Sequence, residues 1–232
     1  MSLDQREEQA TTTVPAPPCG DPNDGDEYFL WTEVKKFVPC DGHRSVVAHG
    51  SAGSSKHYLL VPTARVRGIE CECIQGGWDY WQDAIGVIPE AFKDSPVSPI
   101  QVGLGINSAY ARKQEQLHIH IAPFWQGAQD KLEMEKSKGI ITDVWAKWPV
   151  SIVQIGTKEN PNDLRQYRVI RTGQITSNLF AALKSYVQPT SMADETMILI
   201  PQKSGGWYVL NSDERLKSPA GSSTCDHLLV YS

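Results

Sequence analysis

The pattern of apolar and polar residues predicts a chain of short strands interrupted by a few helices. Alternating or continuous apolar runs bounded by turn residues predict strands at 28–38, 45–49, 56–63, 100–106, 116–121, 145–155, 197–201 and 206–210. Amphipathic periodicity predicts helices at 78–92, where Pro89 favours an earlier end, at 129–138 and at 176–187. Because strands and helices do not alternate regularly, we expect an α+β fold with an antiparallel sheet and flanking helices.

One predicted strand carries an unusual set of polar side chains. Its alternation places Gln116, His118 and His120 on one face, while the leucine and isoleucines between them enter the core. Two of these side chains are imidazoles, which titrate near neutral pH and can act as nucleophiles, bases or metal ligands. We therefore expect the active site on this strand.

The domain organisation follows from where periodicity begins. Residues 1–27 lack hydrophobic periodicity and are rich in turn formers, so they predict a flexible leader. Residues 28–232 are expected to form a single catalytic domain with a C-terminal extension.

Charge and hydropathy exclude some classes of protein. The formal net charge is -5 and no block of lysine and arginine occurs, which argues against a nucleic-acid partner. No apolar run reaches the roughly 18 residues of a membrane span, so the chain is expected to be soluble as given. The Met-Ser-Leu start could equally replace a natural export signal, which leaves an exported or membrane-associated location open.

Five cysteines leave two hypotheses open. Cys19 and Cys225 lie near opposite ends of the chain, and domain termini often meet, so they could form one disulfide of an exported protein. The alternative is a set of buried, unpaired thiols.

Three interpretations compete for His118 and His120. They could be polar residues on a solvent-facing sheet surface, or two ligands of a divalent metal such as zinc. In the third, one imidazole is a nucleophile toward phosphorus and the other supports the phosphate. The preceding loop favours the third, because its amide, hydroxyl and guanidinium donors suit phosphate oxygens. These donors are Asn107, Ser108, Arg112, Gln114 and Gln116.

Three blocks of the chain resemble the CDP-diacylglycerol pyrophosphatase family of the histidine-triad superfamily. They are residues 58–70, residues 106–108 with Arg112 and Gln114 at matching spacing, and residues 117–121. The resemblance covers about 58–124, and a weaker similarity is found at Cys19 and at 225–227. It implies a histidine-triad-like fold in which His118 attacks the phosphorus attached to the nucleoside and His120 binds phosphate and donates a proton. No metal and no cofactor are implied.

The sequence departs from the family pattern at one position, where Gln116 replaces the first histidine of the triad. Its amide can form hydrogen bonds but cannot carry a proton.

The resemblance implies hydrolysis of CDP-diacylglycerol, a nucleotide-linked lipid, to CMP and phosphatidate, with peripheral contact to a membrane. Two alternatives remain: a hydrolase or transferase of a soluble nucleotide conjugate, or a nucleotide- or metal-binding module impaired in catalysis.

Overall fold

An eight-stranded antiparallel sheet runs through the described part of the chain. The computed structural model describes residues 19–20, 29–34, 45–50, 56–76, 79–213 and 220–231. The strands are β1 (Ser45–His49), β2 (Tyr58–Pro62), β3 (Val102–Ile106), β4 (Ile119–Pro123), β5 (Ile152–Gly156), β6 (Leu164–Thr172), β7 (Glu195–Pro201) and β8 (Trp207–Asp213). Their order is β1-β2-β4-β3-β7-β8-β6-β5, and all neighbours are antiparallel. The predicted α+β class with an antiparallel sheet is confirmed.

The helices of the described residues are short. They are α1 (Phe29–Val34), α2 (Cys73–Gly76), α3 (Tyr80–Ala91), α4 (Gln126–Ser137) and α5 (Leu179–Ala182), which continues into a π turn over Leu183–Val187. Four short 3-10 helices lie among the described residues, at Pro99–Gln101, Trp145–Val150, Met192–Asp194 and Cys225–His227. Within the described ranges, none of the helices has the length and apolar character needed to cross a bilayer.

Two sequence predictions of secondary structure are wrong, and one strand was not predicted. The strand predicted at 28–38 contains α1, because Leu30, Trp31 and Val34 are buried at a helical spacing; residues 28 and 35–38 lie outside the described ranges. The extended segment predicted from 145 begins only at Ile152, since Trp145–Val150 forms a 3-10 helix. Strand β6 was not predicted, because polar residues interrupt its apolar pattern.

Helix α3 continues past the proline that was expected to end it. Asp79 caps its start by accepting hydrogen bonds from the backbone N–H groups of Trp81 and Gln82. Pro89 lies in the last turn, where its missing N–H removes one helical bond. The buried side chains of Ile88 and Phe92 hold that turn against the core.

The sheet separates two apolar layers. Leu117, Ile119 and Ile121 pack into the layer that contains α3 and α5. The opposite layer contains α4 and the C-terminal segment, defined here as residues 220–231. The alternation predicted for the histidine strand is therefore confirmed, although its polar face is covered by protein: His118 and His120 are only 6% and 9% exposed.

A glycine in β3 lets the C-terminal segment approach the sheet. Gly105 pairs with His120 in the β3–β4 register. A Cβ atom added at Gly105 would lie 2.5 Å from Cβ of Cys225 and 2.9 Å from Cδ1 of Leu229. The absence of a side chain thus allows the turn that begins at Cys225 to lie beside His120.

One disulfide ties the start of the described chain to the loop after β2. It joins Cys19 to Cys71, whereas Cys225 is a buried free thiol, so the predicted Cys19–Cys225 pairing is wrong. The backbone of Cys19 also donates to the carbonyl of Arg65 at 2.8 Å. Within the predicted leader 1–27, the structure describes only Cys19 and Gly20, and both lie against this loop.

Candidate active site

His118 and His120 open onto one cavity of about 340 Å³. Asn107 and Gln114, two of the predicted phosphate-binding residues, also line it. Ser108, Arg112 and Gln116 do not reach the cavity. The remaining walls come from several parts of the chain and include Leu30, His49, Gly50, Leu59, Ala111, Lys113 and Asp226.

One ring nitrogen of His118 is hydrogen-bonded, and the other has no hydrogen-bond partner among the residues that the structure describes. Its Nδ1 lies 2.7 Å from the backbone carbonyl oxygen of Gln116, and because a carbonyl only accepts, Nδ1 carries the hydrogen. The lone pair is therefore on Nε2. Burial is the main cause that lowers the pKa of His118, and the nearby Arg112 guanidinium lowers it further. A neutral imidazole with an unprotonated Nε2 has the nucleophilic form of the side chain.

His120 lies between an amide and a second imidazole. Its Nε2 is 3.5 Å from Nδ2 of Asn107, and its Nδ1 is 2.9 Å from Nε2 of His57. The pKa of His120 is lowered well below its usual value, first by burial and then by His118 and His57. In the unliganded site His120 is therefore neutral, and a bound phosphate anion would favour its protonation.

The side chain of Gln116 is directed away from the cavity. Its Nε2 donates to the carbonyls of Pro62 at 3.0 Å and Ala64 at 2.8 Å. Its Oε1 accepts from Nη1 of Arg65 at 3.2 Å and from the backbone N–H of Val66 at 3.3 Å. Gln116 is fully buried, so these four bonds fix the backbone carbonyl that holds His118.

Ser108 and Arg112 shape the loop between β3 and β4. The hydroxyl of Ser108 accepts from the backbone N–H of Tyr110 at 3.3 Å, and its carbonyl accepts from the N–H groups of Ala111 and Arg112. The guanidinium of Arg112 forms a two-point ion pair with Glu70, with one bond of 2.6 Å. Both residues thus support the loop that presents Asn107 and Gln114.

Two residues beside the catalytic candidates, His57 and Asp226, were not predicted from the sequence. His57 contacts His120 directly, and its pKa is lowered to about 4, mainly by burial. Asp226 lines the cavity and accepts a hydrogen bond of 2.5 Å from the hydroxyl of Tyr231. The weak family resemblance at 225–227 could have indicated Asp226, but nothing in the sequence indicated that this segment reaches the histidines.

Two groups of metal-ligating side chains occur among the described residues. Cys19 and Cys71 of the first group are joined in the disulfide, which leaves only the thiol of Cys73. The second group has one ligand atom each from His120, Cys225 and Asp226 within 4.8 Å of one another. Burial raises the pKa of the Cys225 thiol well above its usual value, so a cation there would have to displace a tightly held proton.

A larger groove of about 650 Å³ lies elsewhere, beside Ile140, Val144 and Arg171. Neither histidine nor cysteine is among its lining residues. The smaller cavity at His118 is the better candidate for chemistry, because it combines neutral imidazoles with amide donors.

A family comparison covers most of the chain. A profile of the CDP-diacylglycerol pyrophosphatase family matches residues 32–229. The chain belongs to this family. The CDP-diacylglycerol pyrophosphatase profile spans both the histidine strand and the turn at Cys225, which meet at the cavity. The family predicted from the sequence is confirmed.

A curated relative carries the same family name. The CDP-diacylglycerol pyrophosphatase of Yersinia pestis is 38% identical to this chain over 71 residues. These residues cover 28% of this chain and 27% of the relative, so the match spans about a quarter of the relative's length.

Proposed function

We propose that this chain hydrolyses the pyrophosphate of CDP-diacylglycerol to CMP and phosphatidate through a nucleotidyl-histidine intermediate on His118. The observation that carries the proposal is the bond from Nδ1 of His118 to the Gln116 carbonyl, which leaves the Nε2 lone pair available in a cavity with amide donors. The substrate follows from the family to which the chain belongs. We further propose that this arrangement is that of the histidine-triad superfamily.

The reaction proceeds in two displacements at one phosphorus atom. In the first, Nε2 of His118 forms a bond to the phosphorus attached to cytidine, and the P–O bond to phosphatidate breaks with its electron pair on the leaving oxygen. In the second, water attacks the same phosphorus and gives a proton to His120, which had donated one in the first step; the N–P bond breaks with its electron pair on Nε2 of His118, and CMP leaves. The Gln116 carbonyl holds the Nδ1 hydrogen throughout, which stabilises the positive charge that develops on the ring.

The other predicted residues divide into two groups by their location. His120, Asn107 and Gln114 line the cavity and would bind the phosphate oxygens, with His120 donating a proton toward the leaving group. Ser108, Arg112 and Gln116 would act through the loops they hold. A glutamine at the first triad position is then compatible with activity, because only its backbone carbonyl contacts the nucleophile.

The test follows CMP release from CDP-diacylglycerol in detergent micelles and, separately, from a soluble CDP conjugate, with chelator present. Wild type is expected to release CMP from the lipid, and His118→Ala is expected to lose about 1000-fold or more of the rate. His227→Gln is the matched control: His227 lies outside the cavity, where its Nδ1 is 3.0 Å from the hydroxyl of Ser222, and this variant should keep its activity.

A second measurement tests the intermediate. Alkaline quench during turnover, followed by mass spectrometry, should find one cytidylyl group on the peptide that contains His118. Undiminished CMP release by His118→Ala would refute the nucleophile. Release from the soluble conjugate alone would replace the lipid by a soluble substrate. No release from either, together with retained CMP binding, would support a binding module instead.

A further inference from the structure

An acidic side chain lies in the cavity that contains the catalytic candidates. Asp226 lines it together with His118 and His120, and a carboxylate oxygen of Asp226 is within 4.8 Å of a ring nitrogen of His120. Lys113 also lines the cavity, but its side chain is exposed, whereas Asp226 is half-buried. Water therefore screens the charge of Lys113 more strongly. The carboxylate is unexpected here, because it repels the phosphate that the amides and imidazoles attract.

Hydrogen bonds hold this carboxylate in place. Its Oδ1 accepts from the hydroxyl of Tyr231 at 2.5 Å, and the backbone N–H of Asp226 donates to the hydroxyl oxygen of Thr224 at 3.0 Å. The same turn is attached to the end of β3, since Oδ1 of Asn107 accepts from the backbone N–H of Cys225 at 2.8 Å and from the hydroxyl of Thr224 at 3.0 Å. The carboxylate cannot move away from the cavity without breaking these bonds, so a ligand meets it in a fixed position.

The charge of Asp226 acts on the neighbouring imidazoles. Burial lowers the pKa of His118 and of His57, and the charge of Asp226 acts in the opposite direction on both. A phosphate that accepts a hydrogen bond from His120 would lie one hydrogen-bond length beyond that ring, at roughly 6 Å from the carboxylate. Its own charge is then within the range in which the carboxylate acts.

The phosphates that could enter the cavity differ in charge. Each phosphate of a substituted pyrophosphate has one ionisable oxygen and carries a single negative charge. A phosphate monoester has a second pKa of about 6 and is therefore close to a dianion at pH 8. The substrate proposed above contains only phosphates of the first kind, whereas both of its products, CMP and phosphatidate, are monoesters.

From this geometry we propose that Asp226 is a specificity-determining residue, which disfavours doubly charged phosphate monoesters in the cavity relative to singly charged phosphodiesters. At roughly 6 Å and an effective dielectric constant of about 40, one additional negative charge corresponds to about 10-fold weaker binding. The catalytic consequence rests on the function proposed above: the carboxylate favours the release of CMP after hydrolysis and excludes nucleotides that end in a free phosphate.

The test measures the binding of two matched ligands, CMP and the methyl ester of its phosphate, by titration calorimetry at pH 8. The two ligands differ by about one negative charge on the same phosphate. Asp226→Asn removes the charge of the carboxylate and keeps an oxygen that can accept from Tyr231. Asp163→Asn is the matched control, because it removes the same charge outside the cavity, where Asp163 lies 2.9 Å from Arg165.

We expect the affinity for CMP, relative to that for the methyl ester, to rise about 10-fold in Asp226→Asn. Asp163→Asn should keep the wild-type ratio of the two affinities. The ratio within each protein cancels any steric effect of the methyl group that is common to all of them. Thermal melting of each variant checks its folding, and if Asp226→Asn does not fold, Asp226→Ser, which removes the same charge, takes its place.

An unchanged ratio in Asp226→Asn would overturn the proposal, and so would an equal rise in Asp163→Asn. Failure of both wild type and Asp226→Asn to bind either ligand would also overturn it, because the cavity would then not hold a phosphate. Binding is measured without turnover. If the ratio changes as expected but wild type releases no CMP from CDP-diacylglycerol, the proposed function fails while the role of Asp226 in selecting phosphates stands.

Discussion

Truncation of Gln116 to alanine should destabilise the whole protein, although this residue does not line the cavity. The substitution removes two donated bonds, to Pro62 and Ala64, and two accepted bonds, from Arg65 and Val66. At a net contribution of about 1 kcal/mol for each buried hydrogen bond, the free energy of unfolding should fall by about 4 kcal/mol. For a chain of this length that corresponds to a decrease in Tm of about 8–16 °C.

The assay is thermal and urea unfolding of the disulfide-intact protein. Gln116→Glu serves as the matched variant, because it keeps the accepting oxygen Oε1 but replaces Nε2, the donor that faces two carbonyls, with a second acceptor. We expect it to be destabilised at least as much as the alanine variant. A Gln116→Ala protein that melts within about 2 °C of wild type would refute the reasoning, because the loops would then not depend on these bonds.

Three further predictions concern pH, packing and the disulfide. Burial raises the pKa of Glu195 to about 7 from 4.5, so its contribution to stability is fully present below 4.5 and is lost as pH rises through 7. Urea unfolding at pH 5 and 8 should show that the free energy of unfolding of wild type decreases by about 3 kcal/mol and that Glu195→Gln lacks this decrease. The same pH dependence in both proteins would contradict the prediction. Gly105→Ala should push the Cys225 turn away from the sheet, lower the free energy of unfolding by about 1–3 kcal/mol and reduce CMP release, and unaltered melting would argue against the clash. Reduction of the Cys19–Cys71 disulfide, which spans 52 residues, should destabilise the protein by about 4 kcal/mol from chain entropy, measured by melting with and without reductant; a Cys71→Ser protein should melt like the reduced wild type and not respond to reductant.

The sequence was informative wherever local periodicity agreed with the environment. The alternation from Gln116 to Ile121 correctly predicted which side chains enter the core, because one face of that strand is apolar throughout. Strand β6 was not predicted, because polar and apolar side chains do not alternate regularly along it. Helix α1 was read as a strand because a short apolar run fits either period, and its burial depends on packing from distant residues.

The site was predictable only in the part that lies close together along the chain. Asn107, Gln114, His118 and His120 fall within 14 residues of sequence, and the structure brings all four to one cavity. His57 and Asp226 come from distant segments, and their approach depends on strand pairing and on the glycine of β3. The Gln116 amide points away from the cavity because it donates to the carbonyls of Pro62 and Ala64. The position of these carbonyls depends on the tertiary structure and cannot be inferred from the residues around Gln116.

The placement of the C-terminal segment has a consequence for biosynthesis. His118 is made when residue 118 is translated, but the turn at Cys225 and the ring of Tyr231 that cover its neighbours are made more than 100 residues later. A nascent chain on the ribosome therefore contains the histidine strand long before it contains a closed cavity. Any reactivity of His118 toward activated phosphates should accordingly appear only once the chain is complete through residue 231.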